Sequence, residues 1–118
     1  MEIASDLMSS EVIGNQVIDA IHTIHYSTGS GLPVQVYDGI VQSVLREKGF
    51  ELTENGLLDG HKIYHVQEQI ALVMLSQPNI DSAMKVQLKQ HISENKLAFG
   101  ILFNFAASNP TDGMVRVD

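Results

Sequence analysis

The run Ile70-Ala71-Leu72-Val73-Met74-Leu75 limits what this chain can fold into more than any other stretch. Six consecutive apolar residues are too few to cross a bilayer or to make a core helix, and they suit a strand covered on both faces. Such a strand lies inside a sheet with a layer on either side. Ile63 to Val66, joined to it through Gln67-Glu68-Gln69, reads as the preceding strand of a hairpin.

The rest of the chain supplies those layers. Ser9-Ser10-Glu11 starts a helix, with a hydroxyl to cap free N–H groups and a carboxylate in the first turn. Ile13, Val17, Ala20, Ile21 and Ile24 recur at helical spacing, and Gly29 can end the helix in a left-handed conformation. Pro33 fits the first turn of a second helix that carries Tyr37, Ile40, Val41, Val44 and Leu45 on one face and closes at Gly49. From Phe50 the period changes to two. Asn55-Gly56 is expected as a hairpin turn, Asp59-Gly60 as another, and His61 to Val66 alternates again. Pro78 stops the third strand, and Asn79 or Asp81 caps a third helix bearing Ala83, Met84, Leu88 and Ile92. Leu97 to Phe105 is a second buried strand, reached through a helix and so parallel to its neighbour. Met114 to Val117 is a short last strand. The expected fold is an α/β sandwich in the order α-α-β-β-β-α-β-β with a mixed central sheet.

A chain of 118 residues holds one such domain, with residues 1–8 as a flexible lead. Cysteine is absent, which removes disulfides, thiolate metal sites and a Cys nucleophile together and fits a cytoplasmic location. The first residues lack the basic and apolar regions of a secretory signal, and a membrane span is not expected. The formal charge of −7 repels a phosphate backbone unless the few cations gather on one face. Lys85, Lys89 and Lys96 are the candidates for that patch.

The detail of Gly29-Ser30-Gly31-Leu32, then Val36-Tyr37, then a helix ending at Gly49-Phe50, resembles the GxxExxY proteins, a bacterial and archaeal group with the restriction-endonuclease-like PD-(D/E)xK fold. His25 stands where that family has a His late in its first helix. Gln87 stands where it has a helical Gln, and Gly100 to Phe105 resembles its GLLINF strand. The resemblance implies a magnesium-dependent nuclease, and the departures from it fall on the chemistry. Gly31 and Tyr37 keep their spacing, but the Glu between them is Val34. The acid late in the first helix is Thr23. The strand Asp falls on Tyr64, and the Glu and Lys two residues apart fall on Met74 and Ser76.

A hard cation such as Mg²⁺ takes converging oxygen ligands, and a lysine or the ion itself must ionise the attacking water. Tyr, Met and Ser supply neither. The expected protein is therefore a non-catalytic nuclease-like domain that needs no cofactor and acts through binding or self-association, a homodimer being the simplest assembly. The enzymatic alternative is a hydrolase with a relocated metal site on Asp59, His61 and His65. A third reading is residual nucleic-acid binding through Lys85, Lys89 and Lys96. Weaker patterns are His22 with His25, and Ser76 with His65 or His91 as nucleophile and base. Gln87 reads either as a remnant of a nucleic-acid-facing helix or as a plain exposed residue, and Met8, Met74, Met84 and Met114 chiefly as core filling.

Overall fold

The computed structural model describes residues 9–118, with the backbone alone at 110 and 111, so the flexible lead expected over residues 1–8 lies outside the described residues, as does Met8. Helices α1 (Ser10–Thr28) and α2 (Val34–Glu47) come first, followed by strands β1 (Leu52–Leu58), β2 (His61–Val66) and β3 (Ile70–Leu75). Helix α3 (Ser82–Glu94), strand β4 (Phe99–Asn104), one helical turn, α4 (Pro110–Gly113), and strand β5 (Met114–Val117) complete the order. The five strands lie in the order β1-β2-β3-β4-β5, with β3 and β4 parallel and the other neighbours antiparallel. The expected α/β sandwich and its mixed sheet are thus observed, with α4 as the one addition among the described residues.

The apolar run is the central strand, and every residue of it is buried. Side chains alternate across a strand, so Ile70, Leu72 and Met74 enter the core beneath α1 and α2, while Ala71, Val73 and Leu75 enter the core beneath α3. Two cores on one sheet explain why the sequence shows a continuous apolar run here instead of alternation. The parallel β3–β4 pair is made possible by α3, which fills the crossover and packs Met84, Leu88 and Ile92 on the sheet. Asp81 caps that helix, its side chain accepting from the Ala83 amide at 2.9 Å.

Two local expectations need correction. Asn55-Gly56 is not a turn: both residues lie within β1, where the register against β2 shifts between Glu54 and Leu57. The positive φ of Gly56, 96°, is used by a bulge in an edge strand, and the chain reverses only at Asp59-Gly60, where both residues have positive φ. Pro33 precedes the helix instead of standing in its first turn, with φ −59° and ψ 145°, because Val34 is the first residue to turn helical.

The first helix is fastened at both ends. At its start, Arg116 of β5 makes a two-pronged ion pair with Glu11 at 2.6 and 2.8 Å while its guanidinium lies 3.8 Å above the Phe99 ring. At its end, buried His25 donates to the Ala107 carbonyl at 2.7 Å and stacks on Phe105. The loop between α1 and α2 is held by Tyr37, fully buried, whose hydroxyl donates to the Gly29 carbonyl (2.7 Å) and accepts from the Leu32 amide (3.1 Å). No helix among the described residues is long and apolar enough to cross a membrane.

Candidate functional site

The face of α2 that does not enter the core runs beside the end of β2 and the Asp59-Gly60 turn, leaving a cleft of about 340 Å³. Its lining includes Val34, Asp38 and Gln42 from α2, His61, Lys62 and Tyr64 from β2, and Met74 from β3. Residues 34, 38 and 42 share a helix face because they are four apart, and 62 and 64 share a strand face because they are two apart. The cleft is therefore a direct product of the two periodicities meeting.

One polar network fills its floor. The Tyr64 hydroxyl donates to Asp38 Oδ2 at 3.0 Å and accepts from Gln42 Nε2, also at 3.0 Å. Gln42 Nε2 donates a second time to Asp38 Oδ1 at 3.1 Å, and Gln42 Oε1 in turn accepts from Arg46 at 3.1 Å. Arg46 ends the chain on the Leu52 carbonyl at 3.3 Å. Burial holds the Tyr64 phenol well above its ordinary range, and the hydrogen bond to the Asp38 carboxylate and that group's charge raise it further. Tyr64 is thus a fixed proton donor, with no capacity to act as a base near neutral pH. At the mouth, Lys62 pairs with Glu54 at 3.3 Å, and both are exposed.

The structure brings three of the five departures from the family pattern to this cleft: Val34, Tyr64 and Met74 line it. Ser76, just past β3, donates to the Leu32 carbonyl at 2.7 Å, so it ties the α1–α2 loop to the sheet. Thr23 is elsewhere, on a separate groove between α1 and α2, with its hydroxyl bonded to the Asp19 carbonyl at 3.1 Å. Of the positions that match the family, Tyr37 and His25 carry the structural bonds described above, Gly31 has φ 92°, and Gln87 is exposed on α3.

The relocated metal site is not assembled. His61 borders the cleft while His65 turns toward α3, where its Nε2 lies 2.8 Å from Nε2 of His91. Among the described residues, no three His, Asp or Glu side chains converge as a metal site would require. The Ser76–histidine pairing fails for the same reason, since both candidate histidines bond to each other and Ser76 bonds to a carbonyl.

Asp38 and Gln42 are the site residues that the sequence reading missed. The signal was present in the spacing, because Asp38 stands one helical turn after Val34, where the resemblance called for an acid. Magnesium, which the resemblance implies, does not fit this donor set. Among the described residues Asp38 is the one carboxylate lining the cleft, and the groups facing it are a phenol, a thioether, the His61 imidazole and the Lys62 ammonium, so no set of anionic oxygens converges there.

A family model described as the PD-(D/E)XK nuclease superfamily matches residues 11–117. Comparison with curated proteins and with solved structures gave no match in either case.

Proposed function

Because the chain belongs to the PD-(D/E)XK nuclease superfamily, we propose that it is a member that retains the nuclease scaffold without metal-centred hydrolysis and acts through binding or self-association. The observation that carries this reading is the closed network of Tyr64, Asp38 and Gln42 in the place where an anionic cage would have to stand. Each polar hydrogen of the Gln42 amide, the Tyr64 hydroxyl proton and both Asp38 oxygens are already committed to one another. A divalent ion at Asp38 would have to compete with these bonds, and the cleft offers it no second carboxylate among the described residues.

The departures at Val34, Tyr64, Met74 and Ser76 support the same reading, since none restores a negative charge or a cation to the cleft. Self-association is supported by the groove between α1 and α2, lined in part by Ala20, Ile24, Ile40 and Val44. A homodimer that covers it is the expected assembly.

The test is incubation of purified protein with single- and double-stranded DNA and with RNA, in Mg²⁺ and in Mn²⁺, with and without chelator. No chelator-sensitive cleavage is expected. Cleavage that a chelator stops, and that Asp38→Asn abolishes, would overturn the proposal. Light scattering across tens of micromolar tests the dimer, and a strict monomer would remove that part.

A further inference from the structure

The two edges of the sheet are built differently. On the β1 edge the strand is bulged at Glu54–Leu57, and it places the ion pair of Glu54 with Lys62 beside the irregularity. Bulges and charges of this kind discourage another strand from pairing. The β5 edge is not bulged, and its one charged side chain, Arg116, is turned to Glu11 and Asp118. Strand β5 bonds only to β4, in an unbroken antiparallel register from Phe103↔Met114 to Gly100↔Val117. Its outward-facing N–H and C=O groups therefore have no strand partner among the described residues.

Alongside that edge, α3 and β5 enclose a groove of about 360 Å³ lined by Lys85, Val86, Lys89 and residues 115–118. Lys85 and Lys89 are one helical turn apart and both exposed, and among the described residues neither has an ion-pair partner. Val86 lies between them, 67% exposed. The third cation of the groove, Arg116, is already engaged by Glu11 and Asp118. In a chain with fourteen acidic and seven basic residues, two uncommitted lysines beside an open strand edge are a local reversal of sign.

We propose that the β5 edge with its α3 groove is a docking site for an extended acidic segment of a partner protein, which adds to the sheet as a sixth strand. Main-chain hydrogen bonds to β5 would hold the segment in register. Its apolar side chains would cover Val86 and Val115, and its carboxylates would meet Lys85 and Lys89, so that charge selects the partner and the strand edge orients it. This surface lies apart from the cleft, on the α3 side, and the proposal stands whether or not the cleft hydrolyses anything.

The probe is a capped ten-residue peptide with Glu and Val in turn at every second position and Thr between them, so that both side-chain types face α3, titrated into isotope-labelled protein and followed through backbone amide shifts. Shifts concentrated on Lys85 to Lys89 and Val115 to Val117 are expected, with affinity falling about tenfold or more in Lys85→Glu/Lys89→Glu. Circular dichroism of that variant should match the parent, because both side chains are exposed. Val86→Ser should weaken binding without changing the charge. Absence of shifts at β5 would overturn the proposal, as would equal binding of a peptide with proline at alternate positions, which cannot pair with a strand edge. A single-stranded oligonucleotide that binds the same residues more tightly, with the steep salt dependence of phosphate contacts, would overturn it in favour of nucleic acid.

Discussion

His65 on β2 and His91 on α3 share one hydrogen bond, Nε2 to Nε2 at 2.8 Å, between the sheet and the helix that covers it. The Asn95 amide donates to the His91 carbonyl at 2.9 Å and lies 3.4 Å from His91 Nδ1, so the helix end holds that ring against the sheet. Such a bond needs one of the two Nε2 atoms without a proton, so it is lost when both rings are charged. Burial lowers the affinity of both rings for a second proton, and His91 lowers that of His65 further. Glu68 beside His65 and Glu94 beside His91 oppose the shift without cancelling it.

The pH dependence follows from the sign. Both rings hold protons less tightly in the folded state than at the ordinary value of 6.5, so the unfolded chain binds more protons as pH falls. Stability should be full above about pH 6.5 and decline below it, until pH has passed the lowered folded values. Denaturant unfolding at pH 7.5, 6.5, 5.5 and 4.5 measures the slope, and His91→Gln should flatten it. A parent midpoint that does not move between pH 7.5 and 5.5 would refute the assignment.

Tyr64→Phe removes the donor to Asp38 and the acceptor of Gln42 while keeping the ring that packs in the core. A loss of about 1–2 kcal/mol is expected, read as a fall of several degrees in Tm. If the hydroxyl were serving chemistry instead of structure, the same variant would keep its Tm.

Gly14 lies inside α1, where alanine ordinarily gains up to about 1 kcal/mol in helix propensity. Here an added Cβ would sit 2.6 Å from Cζ of Phe99, a ring already covered on its face by Arg116. Overpacking of this sort costs about 1–3 kcal/mol, so Gly14→Ala should be destabilising despite its propensity. An unchanged or raised denaturation midpoint would contradict the packing described for this helix.

Asn104, buried at the end of β4, accepts from the amides of Gln77 and Ala106 at 3.1 Å each and donates to the Gln77 carbonyl at 2.7 Å. It joins the chain leaving β3 to the chain leaving β4. Asn104→Ala strands three main-chain groups in a partly buried position, and a loss of about 3 kcal/mol is expected in equilibrium unfolding.

How much of this was legible beforehand depended on whether one period or two were involved. The central strand could be read because six apolar residues with polar flanks have one good solution in a layered α/β fold. The third helix could be read because Asp81 precedes an apolar stripe at the right offset. Asn55-Gly56 misled because the same positive φ serves a hairpin turn and a bulge, and only the partner strand decides between them. The Asp38–Gln42–Tyr64 network was invisible for a related reason. It joins a helix face to a strand face 22 to 26 residues away, and no local pattern records that register. The His65–His91 contact, 26 residues apart, hid in the same way.

Tyr37 carries a last consequence. Its ring lies flat on Phe105 at 4.1 Å, and its hydroxyl closes the loop between the first two helices from within. A residue so employed would be retained by any descendant that still had to fold, whatever became of the reaction its ancestor performed. Signatures anchored on such a tyrosine trace the inheritance of a shape, and whether a lineage still cuts anything must be read from the residues around it that folding leaves free to change.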